Sequence, residues 1–311
     1  MHIETRRLIW NAIMHLKDFV YNLLYFAKRS QSENDLAMLR NLVLSLPKEV
    51  KEAYKEECAY LEAMSLNDIN LIMFPYPMKD EWDGKGVLVG KEKGSWYVLH
   101  NEKTKLFFPS QSATSDYISL VRNEGLLGTG WLAKSPHCYT DENFQVEDGE
   151  VLLDVGCAEA IFALDNIEKV SKAYLFECAA EWRKPLRLTF AHYANKVVFV
   201  NKLVSDKTEG KSITLIDALK EDASQDNRFF VKMDIEGWER TVLEGNSDFF
   251  KNHKVKLSCC VYHRQDDAVV IEARLKEMGY KTRFSDGYML PTMNGIHYPY
   301  FRRGVIYAQN Y

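Results

Sequence analysis

The chain has no Cys-x-x-Cys pair, no surplus of positive charge, no internal repeat and no low-complexity tract. Its six cysteines (Cys58, Cys138, Cys157, Cys178, Cys259 and Cys260) are scattered. That scatter excludes zinc-finger spacing and a secreted disulfide framework, and it predicts reduced thiols in a cytoplasmic protein. Cys259 and Cys260, adjacent on an expected strand, point to opposite faces and read as core. A formal net charge of −4 argues against a nucleic-acid partner held by a strongly basic face. No uninterrupted apolar run suggests an integral membrane segment. Near the N-terminus Ile9, Ile13, Leu16, Val20 and Leu23 recur at helical spacing, interrupted by His15, Lys17, Asp18 and Asn22. This pattern predicts an amphipathic helix packed on the protein or on a second copy, so a homodimer through the N-terminal helices is one expectation, with a helix lying on a membrane surface as the minor alternative.

What the chain does have is an ordinary globular composition, 46% hydrophobic and 27% charged over 311 residues, enough for one large domain or two modest ones. Residues 1–140 read as helices (33–46, then 47–64 with Pro47 in a first turn) followed by short strands at 86–89, 95–100 and 104–108 and a helix at 116–124. Lys-Gly and Asn-Glu turns join those strands. From 141 to 311 strands alternate with helices: strands near 151–155, 172–177, 196–200, 229–234, 256–262, 279–284 and 303–309, helices near 159–169, 180–193, 238–246 and 265–278. Such alternation predicts an α/β fold, a doubly wound Rossmann-like sheet covered on both faces. The segment 201–215, with Ser205-Asp206-Lys207-Thr208-Glu209-Gly210, reads as a hairpin or loop.

The chemistry gathers at strand ends. Arg228-Phe229-Phe230-Val231 runs into Lys232-Met233-Asp234-Ile235-Glu236-Gly237-Trp238-Glu239. Val151-Leu152-Leu153 runs into Asp154-Val155-Gly156-Cys157-Ala158-Glu159-Ala160, and Ala173-Tyr174-Leu175-Phe176 into Glu177-Cys178. Acids at the C-terminal ends of parallel strands stand where open α/β sheets bind ligands. Asp154-x-Gly156 forms a tight turn into a helix, and Glu177 ends the next strand at the place where an acid accepts from a ribose diol. A dinucleotide needs glycine where this chain has Ala158 and Ala160. A ribose ligand without a pyrophosphate fits better, S-adenosylmethionine being the obvious candidate. An NAD(P)-dependent oxidoreductase and a non-catalytic binding protein are the rival readings.

Asp-Val-Gly-Cys-Ala-Glu-Ala, Phe-Glu-Cys, Val-Ser-Asp and Lys-Met-Asp-Ile-Glu-Gly-Trp-Glu together resemble the FkbM-type family of S-adenosylmethionine-dependent methyltransferases. The resemblance runs from about Gln145 to the C-terminus. It implies a seven-stranded sheet whose last strand is antiparallel, S-adenosylmethionine as cofactor, and O-methylation of a sugar or related hydroxylated small molecule or glycan. It implies that Asp154, Gly156, Cys157, Ala158 and Glu159 shape the cofactor loop, that Glu177 and Cys178 lie along the ribose, and that Ser205 and Asp206 lie beside the adenine. Asp234 and Glu236 would then stand near the methyl donor. Ala160 departs from the glycine common in this family.

Methyl transfer to oxygen is an in-line displacement that gains most from positioning and further from a base. The candidate bases are His263, Asp234 and Glu236, the last two expected to share one face of a strand. His137, Trp238 and Tyr262 are the candidate acceptor contacts. Tyr288, His297, Tyr298, Tyr300 and Phe301 could equally line a pocket or fill a core. Asp234, Glu236 and Glu239 offer oxygens a divalent ion could use, but their spacing does not require one, and no metal is assigned from the sequence.

Overall fold

The computed structural model describes residues 36–65, 73–76, 87–114, 117, 121, 135–224, 226–291 and 300–311. The amphipathic helix expected within residues 1–29, His297, Tyr298 and most of the helix expected at 116–124 lie outside them. Among the described residues no helix is long and apolar enough to cross a membrane.

Residues 36–44 form helix α1, followed by α2 (Lys48–Glu52) and α3 (Lys55–Ala63). The helix expected over 47–64 is therefore two, broken at Ala53-Tyr54. Leu39, Val43, Cys58 and Leu61 pack with Leu290 and Phe301 in a small core of their own. A three-stranded antiparallel sheet comes next: β1 (Val89–Glu92), β2 (Ser95–His100) and β3 (Thr104–Phe108), then the short α4 (Gln111–Thr114). β1 starts three residues later than expected, because Glu92 and Ser95 pair across the Lys93-Gly94 turn. Both residues of that turn have positive φ, as do Asn101 and Glu102, which is the geometry tight hairpins require.

The main sheet holds β4 (Val151–Val155), β5 (Lys172–Phe176), β6 (Val197–Val200), β9 (Arg228–Met233), β10 (Lys254–Cys260), β11 (Lys281–Phe284) and β12 (Val305–Gln309). Their order is β11-β12-β10-β9-β4-β5-β6. β4, β5, β6, β9 and β10 pair in parallel, whereas β12 runs antiparallel to both β10 and β11. Burial explains the pattern: every residue of β4 is buried and five of the six in β9 are, as sheets covered on both faces demand. Helices α5 (Ile161–Asn166), α6 (Arg183–Thr189), α8 (Glu239–Gly245), α9 (Ser247–Asn252) and α10 (Asp267–Glu277) fill the connections.

Two apolar cores lie on the two faces of this sheet. One gathers Leu152, Ile161, Phe162 and Phe230 together with Val98, Leu106 and Phe108 of the small sheet. The other gathers Leu153, Val231, Phe249 and Leu257. The segment 201–215 is not a hairpin. β7 (Leu203–Val204) and β8 (Ser212–Ile213) pair in parallel, and Thr214 caps a short α7 (Leu215–Leu219) by accepting from the Asp217 backbone N–H.

Chain order sends β4, β5 and β6 outward to one edge before β9 returns beside β4. The strand order therefore reverses between β4 and β9, and ligand crevices form at such a reversal.

Candidate functional site

A cavity of about 450 Å³ opens at that reversal, lined by residues of the loops after β4, β5, β6 and β9. Asp154, Gly156, Cys157, Ala158 and Glu159 come from the first loop, Glu177 and Cys178 from the second, and Asp234, Glu236 and Trp238 from the last. The structure thus brings together most of the residues expected to bind a cofactor.

Backbone geometry explains the loop. Gly156 has φ +75°, and a Cβ there would stand 2.0 Å from the Asp234 carbonyl oxygen. Only glycine lets the β4 turn lie against the β9 end. Ala158 and Ala160, with φ of 44° and 60°, hold the left-handed conformation that glycine adopts without strain. The turn keeps its shape despite both alanines. Glu177 ties the two loops: one carboxylate oxygen accepts from the Ala158 N–H at 3.1 Å, the other from the Ala179 N–H at 2.7 Å.

Charge is concentrated at the floor. Asp154 is fully buried and stands 3.2 Å from Lys232 Nζ, which also donates to the Gly156 carbonyl at 2.7 Å. Burial raises the Asp154 pKa, and Lys232 opposes the rise. Glu159 is pushed up to about 7, chiefly by burial. Asp234 behaves oppositely. Burial alone would raise its pKa, but the hydrogen bond and charge of His137, then Lys232 and His263, outweigh it and hold the carboxyl far below its usual range.

Asp234 is the hub of this floor. Tyr139 donates to its Oδ2 at 2.8 Å, His137 Nε2 stands 3.3 Å from the same atom, and His263 Nε2 stands 3.4 Å from Oδ1. His263 lies behind Asp234 and does not line the cavity; its other ring nitrogen stands 3.0 Å from Glu239 Oε1. Burial lowers the proton affinity of this imidazole, but Glu239, Asp234 and Glu236 outweigh burial and raise its pKa.

Several expectations need correction. β9 ends at Met233, so Asp234 and Glu236 share no strand face. Glu236 sits in the following turn with φ +56°, its side chain 83% exposed. Both still reach His263 Nε2, Glu236 at 3.6 Å. Ser205 and Asp206 are absent from the cavity wall, where Lys202, Leu203 and Val204 stand instead. They pack away from it because Asp206 lies against Gly245 and the Ser205 carbonyl accepts from Asn246 Nδ2 at 2.9 Å. His137 and Tyr262 are buried and off the cavity wall, their rings 5.1 Å apart edge to face. Phe301 is buried in the small core, and Tyr288, half-buried, packs with it on Tyr54. Trp238, half exposed, is among the residues that line the cavity.

Sequence reasoning passed over Tyr139 and Lys232, which both line the cavity. Lys232 carried a readable signal. A lysine inside a buried strand needs a partner, and here Asp154 and the Gly156 carbonyl supply it. Tyr139 had none, since its partner Asp234 is 95 residues away.

Comparison with known proteins adds three solved structures. The chain is similar to methyltransferase FkbM from Methylobacillus flagellatus KT at 21% identity over 53% of this chain and 44% of that one, with TM-score 0.41. It is similar to a precorrin-6y C5,15-methyltransferase from Geobacter metallireducens GS-15 at 14% identity, covering 53% and 81%, with TM-score 0.35. An rRNA methylase from Streptococcus thermophilus matches at 9% identity, covering 53% and 88%, with TM-score 0.34. The chain spans less than half the length of the FkbM structure it resembles. The comparison with curated proteins gives no match. Residues 201–282, from the end of β6 through β11's first residues, match the family model of the methyltransferase FkbM domain, in agreement with the resemblance its motifs carry.

Proposed function

We propose that the cavity binds S-adenosylmethionine and that the protein transfers its methyl group to a hydroxyl of a sugar or related small metabolite. The observation that carries this reading is the cavity itself. It opens at the β4–β9 reversal of the sheet, and the reading is supported by the Glu177 carboxylate, an acceptor of the kind a ribose diol uses, and by acids on the floor that favour a cationic ligand.

The residues fit the cofactor. The positive-φ turn at Gly156, Ala158 and Ala160 leaves room for the methionine end. Each Glu177 oxygen already accepts one backbone N–H and keeps a lone pair for a ribose hydroxyl. Phe162, Phe176 and Leu203 give apolar wall for a purine. When bound, S-adenosylmethionine supplies an electrophilic methyl group on a sulfonium.

Asp154, Glu159 and Asp234 favour a positive ligand at the floor by Coulomb attraction in a site of low dielectric. Asp234, kept ionised by His137 and Lys232, accepts the hydrogen bond of an incoming hydroxyl and orients its oxygen. A carboxylate with so low a pKa is a weak base, so the rate comes mainly from positioning. Trp238 at the mouth offers an aromatic face to a sugar ring. Cytoplasmic location and pairing through the N-terminal helices belong to the same proposal.

The acceptor class is tested with labelled S-adenosylmethionine and a panel of sugars, hydroxylated metabolites and amine analogues. Label on hydroxyl acceptors, reduced about 100-fold or more in Asp234→Asn through loss of positioning, is the expected result. Label confined to amines overturns the O-methylation reading.

A further inference from the structure

Behind the cavity wall lies a cluster that methyl transfer does not account for. Glu239 and His263 are 1% and 3% exposed, and both face Asp234. Asp234 has used Oδ2 on Tyr139 and His137, yet its buried Oδ1 has no hydrogen-bond partner. Glu239 has used Oε1, which accepts from the Ile235 N–H at 2.9 Å, yet its buried Oε2 has none. Neither ring nitrogen of His263 makes a well-aligned hydrogen bond, although carboxylate oxygens stand 3.0, 3.4 and 3.6 Å away.

Buried polar atoms left without partners cost free energy unless something satisfies them. Here the carboxylates of Asp234, Glu236 and Glu239 surround one imidazole. One donor atom each from Asp234, Glu239 and His263 lie within 4.8 Å of one another, a spacing that one ion can bridge. Glu236 adds a third carboxylate from the surface, 83% exposed and 3.6 Å from His263 Nε2.

We propose that Asp234, Glu239 and His263 form a divalent-cation site beneath the cavity, with Glu236 closing it from the solvent side. The carboxylate oxygens suit ions such as Mg²⁺ and Mn²⁺, and the imidazole adds a nitrogen ligand of the kind Fe²⁺ and Zn²⁺ take; paramagnetic Mn²⁺ is the probe. The backbone frames the site. Asp234 to Glu236 form the turn after β9, Glu239 opens α8, and His263 follows β10, so all the ligands sit on ends of packed elements. The site is distinct from the cofactor contacts at Glu177 and the β4 turn, and the cation would fix Asp234 and Glu236, the two ligands that line the cavity.

The test uses Mn²⁺ alone on the full chain, followed by the loss of the free-ion signal in electron paramagnetic resonance. One ion bound per chain is expected, weakened about tenfold or more in His263→Gln and in Glu239→Gln. Because a loss of stability in either buried variant would mimic loss of the site, the wild type is also followed by NMR, where Mn²⁺ should broaden the His263 ring protons first. A full free-ion signal at millimolar Mn²⁺, or broadening confined to other histidines, overturns the site. Binding of S-adenosylhomocysteine measured on the same samples keeps the two proposals apart. If it binds without Mn²⁺ binding, only the cation site falls. If Mn²⁺ binds and it does not, only the methyltransferase reading falls.

Discussion

At the scale of single residues, the cleft is built from groups whose environments push them in opposite directions. Glu159 ionises at about 7 because it is buried, whereas Asp234 stays ionised because His137 and Lys232 face it. The sign for Glu159 follows from linkage. Its folded pKa lies above its ordinary 4.5, so the folded chain holds a proton that the unfolded chain releases. The stability this contributes is complete below about pH 4.5 and is lost as pH rises through about 7. A cationic ligand favours the ionised form, so S-adenosylmethionine affinity should rise between about pH 5 and pH 7 and level off above. Calorimetric titrations across that range should show the rise in wild type and its loss in Glu159→Gln. S-adenosylhomocysteine, which lacks the sulfonium charge, should respond less. A flat wild-type profile would mean that Glu159 does not sense the ligand.

Ala158 and Ala160 both sit at positive φ, but Ala160 is 1% exposed and Ala158 only half-buried. Relief of left-handed strain is worth about 1 kcal/mol, and loss of a buried methyl costs about 0.8 kcal/mol. Ala158→Gly should therefore stabilise the protein by about 0.5–1 kcal/mol, while Ala160→Gly should be near neutral. Urea denaturation of the two variants checks the difference. Asp154, Gly156 and Glu177 were legible in the sequence because each is tied to a strand end by local spacing. The packing of Ser205 and Asp206 away from the cavity was not, because it depends on Gly245 and Asn246 some forty residues on.

At the scale of elements, strands were easier to read than helices. β2, β3 and β4 fall where alternation or apolar runs put them, since burial on both faces leaves a continuous apolar signature. The helix expected over 180–193 is instead three pieces, 3₁₀ turns at each end of Arg183–Thr189. The helix α9 gave no separate signal, since Asn246 ends α8 and begins α9 without a break in polarity. The contact between α8 and the segment after β7 makes a sharp test. A Cβ on Gly245 would meet Asp206 Cα at 2.1 Å, and backbone cannot yield as a side-chain tip can. Gly245→Ala should cost about 1–3 kcal/mol, read as a lowered denaturant midpoint. An unchanged midpoint would mean that the Asp206 segment moves freely and that its packing does not fix the cavity edge.

At the scale of the whole molecule, one sheet sets where everything chemical occurs. Five strands pair in parallel from β6 to β10, so their C-terminal ends share one edge, and the three acidic motifs meet there although they lie up to about eighty residues apart. That meeting was legible because the βα alternation implied it. The partnership of His137 and Tyr139 with Asp234 was not, since nothing local in a sequence joins a loop before β4 to the end of β9. The small sheet and the N-terminal helices pack on the same molecule through Val98, Leu106 and Phe108 on one side and Leu61 with Phe301 on the other.

The central claim is that the cavity at the β4–β9 reversal is an S-adenosylmethionine site. Titration calorimetry with S-adenosylmethionine and S-adenosylhomocysteine, on wild type and Glu177→Ala, tests it most directly. The account predicts one site per chain in wild type, weakened about tenfold or more in Glu177→Ala by loss of a charged hydrogen-bond acceptor, and no binding of NAD or NADP. Heat from a nicotinamide nucleotide but none from S-adenosylmethionine, or equal affinity in the variant, would contradict it.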